Sequence, residues 1–135
     1  MDGPLKNLLV VDLTRVLVGP YCTMILSDLG ARVIKVEAPE IGDDSRKFGP
    51  FVKDYSAYFM SLNRGKESIA LNLKNEDDKK IFDKILAKAD ILVENFKPGT
   101  LEKWGYESLM MRWEILQKGM KSFCTNLLIT LSQAH

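Results

Sequence analysis

Residues 8–39 read LLVVDLTRVLVGPYCTMILSDLGARVIKVEAP, and their pattern decides the fold class. An apolar run, Leu8 to Val11, ends on the carboxylate of Asp12, and a second run, Val33-Ile34-Lys35-Val36, ends on Glu37. Between them a Gly-Pro pair, Gly19 and Pro20, leads into a segment carrying Met24, Ile25, Leu26 and Leu29, which Gly30 closes. Two short β-branched runs separated by one capped helical stretch predict a βαβ unit. Pro20 suits the first turn of a helix, where its missing N–H has no partner to lose, and Gly30 suits the residue just past the end, where φ turns positive. Ligands of parallel sheets gather beyond the carboxyl ends of the strands, here Asp12 to Val18 and Glu37 to Asp44. No G-x-G-x-x-G follows the first strand, so the dinucleotide fingerprint is missing. On pattern alone, Asp12 and Glu37 need do no more than end strands and cap turns.

Outward from this unit the chain alternates strands and helices. Ala38 to Asp54 reads as a polar loop with Pro39, Gly42, Gly49 and Pro50. Ser56 caps a short helix over Ala57 to Leu62, Asn63 to Lys66 is a turn, and Ser68 to Leu73 alternates as a third strand. Asn75 caps the clearest helix, with Glu76, Asp77 and Asp78 at its positive end and Ile81, Phe82, Ile85 and Leu86 as its apolar stripe. Asp90 to Glu94 is a fourth, buried strand. Asn95 to Gly99 forms its carboxyl-end turn, and Thr100 caps a last short helix through Lys103 and Trp104. Glu107 to Lys118 reads as a further helix, displaced by a local insertion around Met110 and Met111. The expected fold class is α/β: a Rossmann-like, mainly parallel sheet with flanking helices.

Composition narrows the function classes. At 135 residues the chain is of single-domain size, and its 46% hydrophobic and 27% charged content is that of a globular protein. A net charge of +1 gives no electrostatic reason for a nucleic-acid partner or a membrane surface. No run approaches the roughly 20 apolar residues of a membrane helix. No leader pattern opens the chain, and a cytoplasmic setting is expected. Cys22 and Cys124 are far apart without a C-x-x-C, which favours free thiols over a disulfide or metal. The only histidine is His135, which argues against a Ser-His-Asp triad and against zinc of the usual kind. No metal ligands are expected.

The segments VVDLTRVLVGPY and DLGARVIKVEAPEIGDDSR resemble the N-terminus of the family III coenzyme A transferases, to which formyl-CoA transferase and, more distantly, α-methylacyl-CoA racemase belong. The resemblance implies transfer of coenzyme A between an acyl-CoA and a carboxylic acid, with coenzyme A as a substrate and no permanently bound cofactor. It extends over residues 1–118. From residue 119 the chain reads GMKSFCTNLLITLSQAH, where the family continues with a proline, a strand and an S-x-S-G-F-G-like turn. Residues 119–135 are therefore expected to be a non-matching tail, from a frameshift, an alternative splice end or divergence, and to be poorly packed. The family also forms interlocked homodimers, an arrangement doubtful for so short a chain.

Coenzyme A needs cations for its phosphates, an apolar surface for adenine and a groove for pantetheine. By resemblance, Leu17 and Val18 line the pantetheine channel, Leu71-Asn72-Leu73-Lys74 and Asn95-Phe96-Lys97 contact the cofactor at successive strand ends, and Lys103 meets the nucleotide. Singly, Lys74 reads as a solvated lysine and Phe96 as a core aromatic. Leu17 and Val18 replace polar side chains of formyl-CoA transferase, so its acyl specificity does not carry over. Ala38 replaces a basic contact of some members, for which Arg46 or Lys47 would have to compensate.

The family's reaction runs through an aspartate nucleophile that forms an aspartyl mixed anhydride and then an aspartyl-CoA thioester. That aspartate lies beyond the matched region, and Asp12, Asp43 and Asp44 match non-catalytic positions, so no catalytic residue is expected in this chain. Three other readings remain open: a non-catalytic coenzyme A or nucleotide-binding module, a fragment of a racemase relative, and a folding-defective product without activity.

Overall fold

The computed structural model describes residues 3–106 and the backbone of residues 128–131. β1 (Leu9–Asp12), α1 (Val18–Asp28) and β2 (Arg32–Glu37) form the expected βαβ unit. A 3-10 turn (Asp44–Lys47) and a small hairpin of β3 (Phe51–Val52) and β4 (Tyr55–Ser56) follow. Then come α2 (Ala57–Asn63), β5 (Glu67–Ala70), α3 (Glu76–Leu86), β6 (Ile91–Glu94), α4 (Thr100–Lys103) and β7 (Leu128–Leu131). The main sheet has the order β5-β2-β1-β6-β7. Its first four strands are parallel, and β7 runs antiparallel to β6.

Strand alternation sorts the apolar residues onto two faces. Val11, Val36 and Leu92 point to one side, where they meet Phe82 of α3 and Leu101 of α4. Val10, Val33, Ile91 and Val93 point to the other, packed with Leu26 of α1. The result is three layers, with the sheet buried between helices as an all-parallel core requires. Phe82 is fully buried, which stabilises the α3 side by about 2–3 kcal/mol.

Local chemistry sets the helix ends. Asn75 accepts the Asp77 N–H at 2.8 Å, and the acidic first turn of α3 faces the positive end of the helix dipole. Ser56 caps α2 by accepting the Phe59 N–H at 3.0 Å. Pro20 lies in the first turn of α1, and Gly30, at φ 100°, donates its N–H to the Ser27 carbonyl at 2.9 Å. Gly19 has a steric reason: a Cβ there would stand 2.2 Å from Thr14 Cβ.

Four sequence expectations shift. The third strand ends at Ala70 rather than Leu73, because the next backbone groups turn to side chains. Asp78 accepts the Asn72 N–H at 2.8 Å, and Asn72 Oδ1 accepts the Lys74 N–H at 3.1 Å. Gly99 at φ 85°, not Thr100, occupies the N-cap of α4. The loop over 38–54 contains the 3-10 turn and the hairpin, the former capped by Asp43. Within the tail, residues 128–131 are not loose but add an edge strand to β6. The helix expected over Glu107 to Lys118, with the insertion at Met110 and Met111, lies outside the described residues.

Candidate functional site

The turn after β1 has little regular structure to satisfy its backbone, and side chains from three strand ends do so instead. Asp12 Oδ1 accepts the Thr14 N–H at 2.8 Å, and Lys35 Nζ donates to the Thr14 carbonyl at 2.7 Å. The Asn95 amide grips Arg15 from both sides, accepting its N–H and donating to its carbonyl, each at 2.9 Å. Asp43 Oδ1 accepts the Val16 N–H at 3.1 Å. Val16 sits at φ 72°, a left-handed conformation that costs a β-branched residue about 1–3 kcal/mol. The hydrogen bonds around it hold the turn against that strain.

Beneath the turn lies a buried set of alternating charges. Lys66 Nζ meets Asp12 Oδ2 at 3.0 Å and also donates to the Pro20 carbonyl and to Asn63 Oδ1. Asp12 is filled further by the hydroxyls of Thr14 and Thr23. Lys35 Nζ lies 2.9 Å from Asp43 Oδ2, an ion pair with both side chains almost wholly buried. Burial alone would raise the Asp43 carboxyl, but Lys35 and the Ser45 N–H and hydroxyl outweigh it and hold the group below its ordinary range. Burial pushes the Lys66 amine down, and Asp12 offsets part of that shift.

At the end of β2, Glu37 takes a two-pronged bond from Arg46, at 2.8 and 2.7 Å, with Ser68 and the Asp43 N–H also donating. These partners overcome burial and hold Glu37 below the ordinary carboxylate range. Arg46 also lies 3.8 Å from the centre of the Phe59 ring.

A cavity of about 550 Å³ opens over these strand ends. That volume is within the range of small-molecule sites. Leu71, Leu73, Phe96 and Trp104 give it an apolar side, where the Phe96 and Trp104 rings meet edge to face at 5.2 Å. Arg15, Lys35 and Lys74 give it cationic groups.

Of the residues expected from the sequence, Leu71, Asn72, Leu73, Lys74 and Phe96 line this one cavity. Asn95 stands beside it with its amide engaged on Arg15. Lys97 and Lys103 are exposed outside the lining, as are Leu17 and Val18 at the start of α1. Arg46, considered as a substitute for the basic contact absent at Ala38, is committed to Glu37, and Lys47 is not part of the lining. Sequence reasoning missed Arg15, Lys35 and Trp104 as parts of the cavity, and weighed Asp43 only as a nucleophile. A lysine inside the buried run RVIKVE was a legible signal for Lys35, whereas nothing marked Arg15 or Trp104. Among the described residues no three His, Cys, Asp or Glu side chains are grouped to hold a metal.

The profile of CoA-transferase family III matches residues 5–114. The chain belongs to CoA-transferase family III. It is 58% identical over 104 residues to the acetyl-CoA:oxalate CoA-transferase of Acetobacter aceti, covering 77% of this chain and 27% of that protein. It is 53% identical over 114 residues to the succinyl-CoA:mesaconate CoA-transferase of Haloarcula marismortui, covering 79% and 28%. The crystal structure of a CAIB/BAIF family protein from Brucella suis superposes with a TM-score of 0.74 at 46% identity, covering 82% of this chain and 31% of that one. The chain therefore spans less than a third of the length of these family III relatives.

Proposed function

We propose that these residues form the coenzyme A-binding part of a CoA-transferase that moves coenzyme A from an acyl-CoA to a carboxylic acid. The observation that carries this reading is the cavity over the strand ends, where segments separated in the chain converge: Leu71–Lys74 and Phe96. An apolar, aromatic side suits adenine, and cations at the rim suit phosphates. Lys97, Lys103 and the backbone of Asn95 approach the nucleotide from outside the cavity, while Leu17 and Val18 flank the pantetheine arm. Residues 1–118 act as the CoA-transferase segment and residues 119–135 as an addition to it. The expected setting is cytoplasmic. Among the described residues no helix is long and apolar enough to cross a membrane. Interlocked dimers, the arrangement the resemblance implies, are expected of the family's full-length members.

The same resemblance places the nucleophilic aspartate beyond the matched residues. Asp12 and Asp43 are buried and paired with lysines and hydroxyls, which suits structural rather than nucleophilic carboxylates. Binding the cofactor without the attacking group leaves the chemical barrier untouched. Calorimetric titration with coenzyme A tests the reading: the 135-residue chain binds, and Lys74→Ala weakens binding about fivefold. Acyl exchange between acetyl-CoA or succinyl-CoA and a dicarboxylate stays at background. No binding by the parent chain, or exchange lost on Asp12→Asn, would overturn the assignment.

A further inference from the structure

The cationic groups on the cavity differ in how far they are committed. Lys35 is buried against Asp43 and the Thr14 carbonyl, leaving Arg15 and Lys74 as the cations with exposed side chains. Among the described residues the Arg15 side chain has one loose partner, Asp44 at 3.6 Å, with both side chains about half exposed. Such a pair contributes little, so an incoming anion displaces Asp44 at small cost. The backbone of Arg15, by contrast, is fixed by the two hydrogen bonds to Asn95, and its neighbours are fixed by Asp43 and Lys35. A fixed backbone carrying a weakly paired guanidinium is an arrangement that binds a phosphate with a reduced loss of entropy. The carboxylates on the same lining are Glu37, neutralised by Arg46, Asp43, neutralised by Lys35, and Glu40, which is exposed at the rim.

We propose that Arg15 is an anion-binding residue of this cavity, held at its rim by Asn95, and that it takes a phosphate of the bound nucleotide. Asn95 is then a positioning residue: its side chain acts on the nucleotide through Arg15. The inference deepens the coenzyme A reading and rests on it for the identity of the ligand, but not for the anion site itself.

The test is titration of the parent chain, Arg15→Ala, Arg15→Lys, Asn95→Ala and the Arg15→Ala/Asn95→Ala double variant with coenzyme A, dephospho-coenzyme A, pantetheine and inorganic pyrophosphate. Arg15→Ala is expected to lower coenzyme A affinity roughly tenfold, and Arg15→Lys less. For pantetheine, which lacks the nucleotide phosphates, parent and variant should not differ. A loss that persists with dephospho-coenzyme A assigns Arg15 to the pyrophosphate; one that disappears assigns it to the 3′-phosphate. Asn95→Ala is expected to weaken coenzyme A binding too, and the double variant to bind no worse than Arg15→Ala alone, whereas a merely structural role for Asn95 would add. Unchanged coenzyme A binding by Arg15→Ala, or an equal loss for pantetheine, overturns the inference while the coenzyme A reading stands. Arg15-dependent binding of pyrophosphate without coenzyme A binding overturns the reading and keeps the anion site. Binding of neither overturns both. Arg15 is exposed, so its variants fold and decide the matter even if Asn95→Ala does not.

Discussion

Glu37 and Glu94 are each the last residue of a central parallel strand, and each is only 7% exposed, yet their ionisation is pushed in opposite directions. Glu37 has Arg46, Ser68 and a backbone N–H to hold its charge and lies below the ordinary 4.5. Among the described residues Glu94 accepts one hydrogen bond, from the Phe96 N–H at 2.7 Å, and has the Glu102 carboxylate nearby, so burial raises it above 4.5. The β2 end was built for charge, with three cation–carboxylate pairs around the turn after β1. The β6 end, beside Phe96 and Trp104, has no ion pair to its carboxylate among the described residues. Equal burial therefore has no fixed electrostatic meaning; the partners decide it.

The strongest way to break this contrast is to strip the β2 end of a buried cation. Lys35→Met leaves Asp43 charged and unpaired, and removes the donor to the Thr14 carbonyl. Urea denaturation should show a loss of about 3–5 kcal/mol, and adding Asp43→Asn should recover part of it. A loss below 1 kcal/mol would mean that the pair does not hold the turn.

A smaller effect is expected from Arg46→Ala. Arg46 is partly exposed, so water replaces some of what Glu37 loses, and the cost should be about 1–2 kcal/mol. The pH dependence carries the sign. Glu37 and Asp43 are depressed in the folded state, so their contribution is present above the unfolded values of 4.5 and 3.8 and is lost as pH falls through the folded ones. The parent should therefore lose stability below about pH 4, and Arg46→Ala should show a shallower acid limb. Parallel curves would remove Glu37 from the explanation.

The smallest effect belongs to Glu94→Gln. A raised folded value means that the Glu94 contribution is present below 4.5 and lost as pH rises through the folded value. Glutamine still accepts the Phe96 N–H, so at pH 7 the variant should equal the parent or exceed it by up to about 1 kcal/mol, with the gain vanishing near pH 4. Destabilisation at pH 7 would show that Glu94 has a charge partner after all.

Much of this architecture was legible before any coordinates. The β2 run ending on Glu37 and the Asn75 cap were read as they stand, because strand alternation and N-capping act over a few residues. The third strand was read too long, since Leu71 and Leu73 keep the alternating pattern while Asn72 and Asp78 have already taken the backbone into a turn. Leu71–Lys74 and Phe96 were named from a family resemblance, and they do share one cavity. Arg15 and Trp104 were not found: a lone arginine after a strand and a tryptophan ending a short helix look the same whether or not they face a cavity.

The sequence by itself determined the order of the four parallel strands and of the helices after them, and the kinship to family III transferases, because periodicity, capping and motif spacing are local and need no third dimension. Only the tertiary structure decided which charges are spent. Lys35, Lys66 and Arg46 are consumed by Asp43, Asp12 and Glu37, partners that lie 8, 54 and 9 residues away in the chain. Arg15, a residue of the cavity lining, is left with its backbone clamped by Asn95, 80 residues on, and its guanidinium paired only loosely with Asp44. Pairing depends on distance and desolvation in the folded chain, and neither is encoded in the spacing of residues along it.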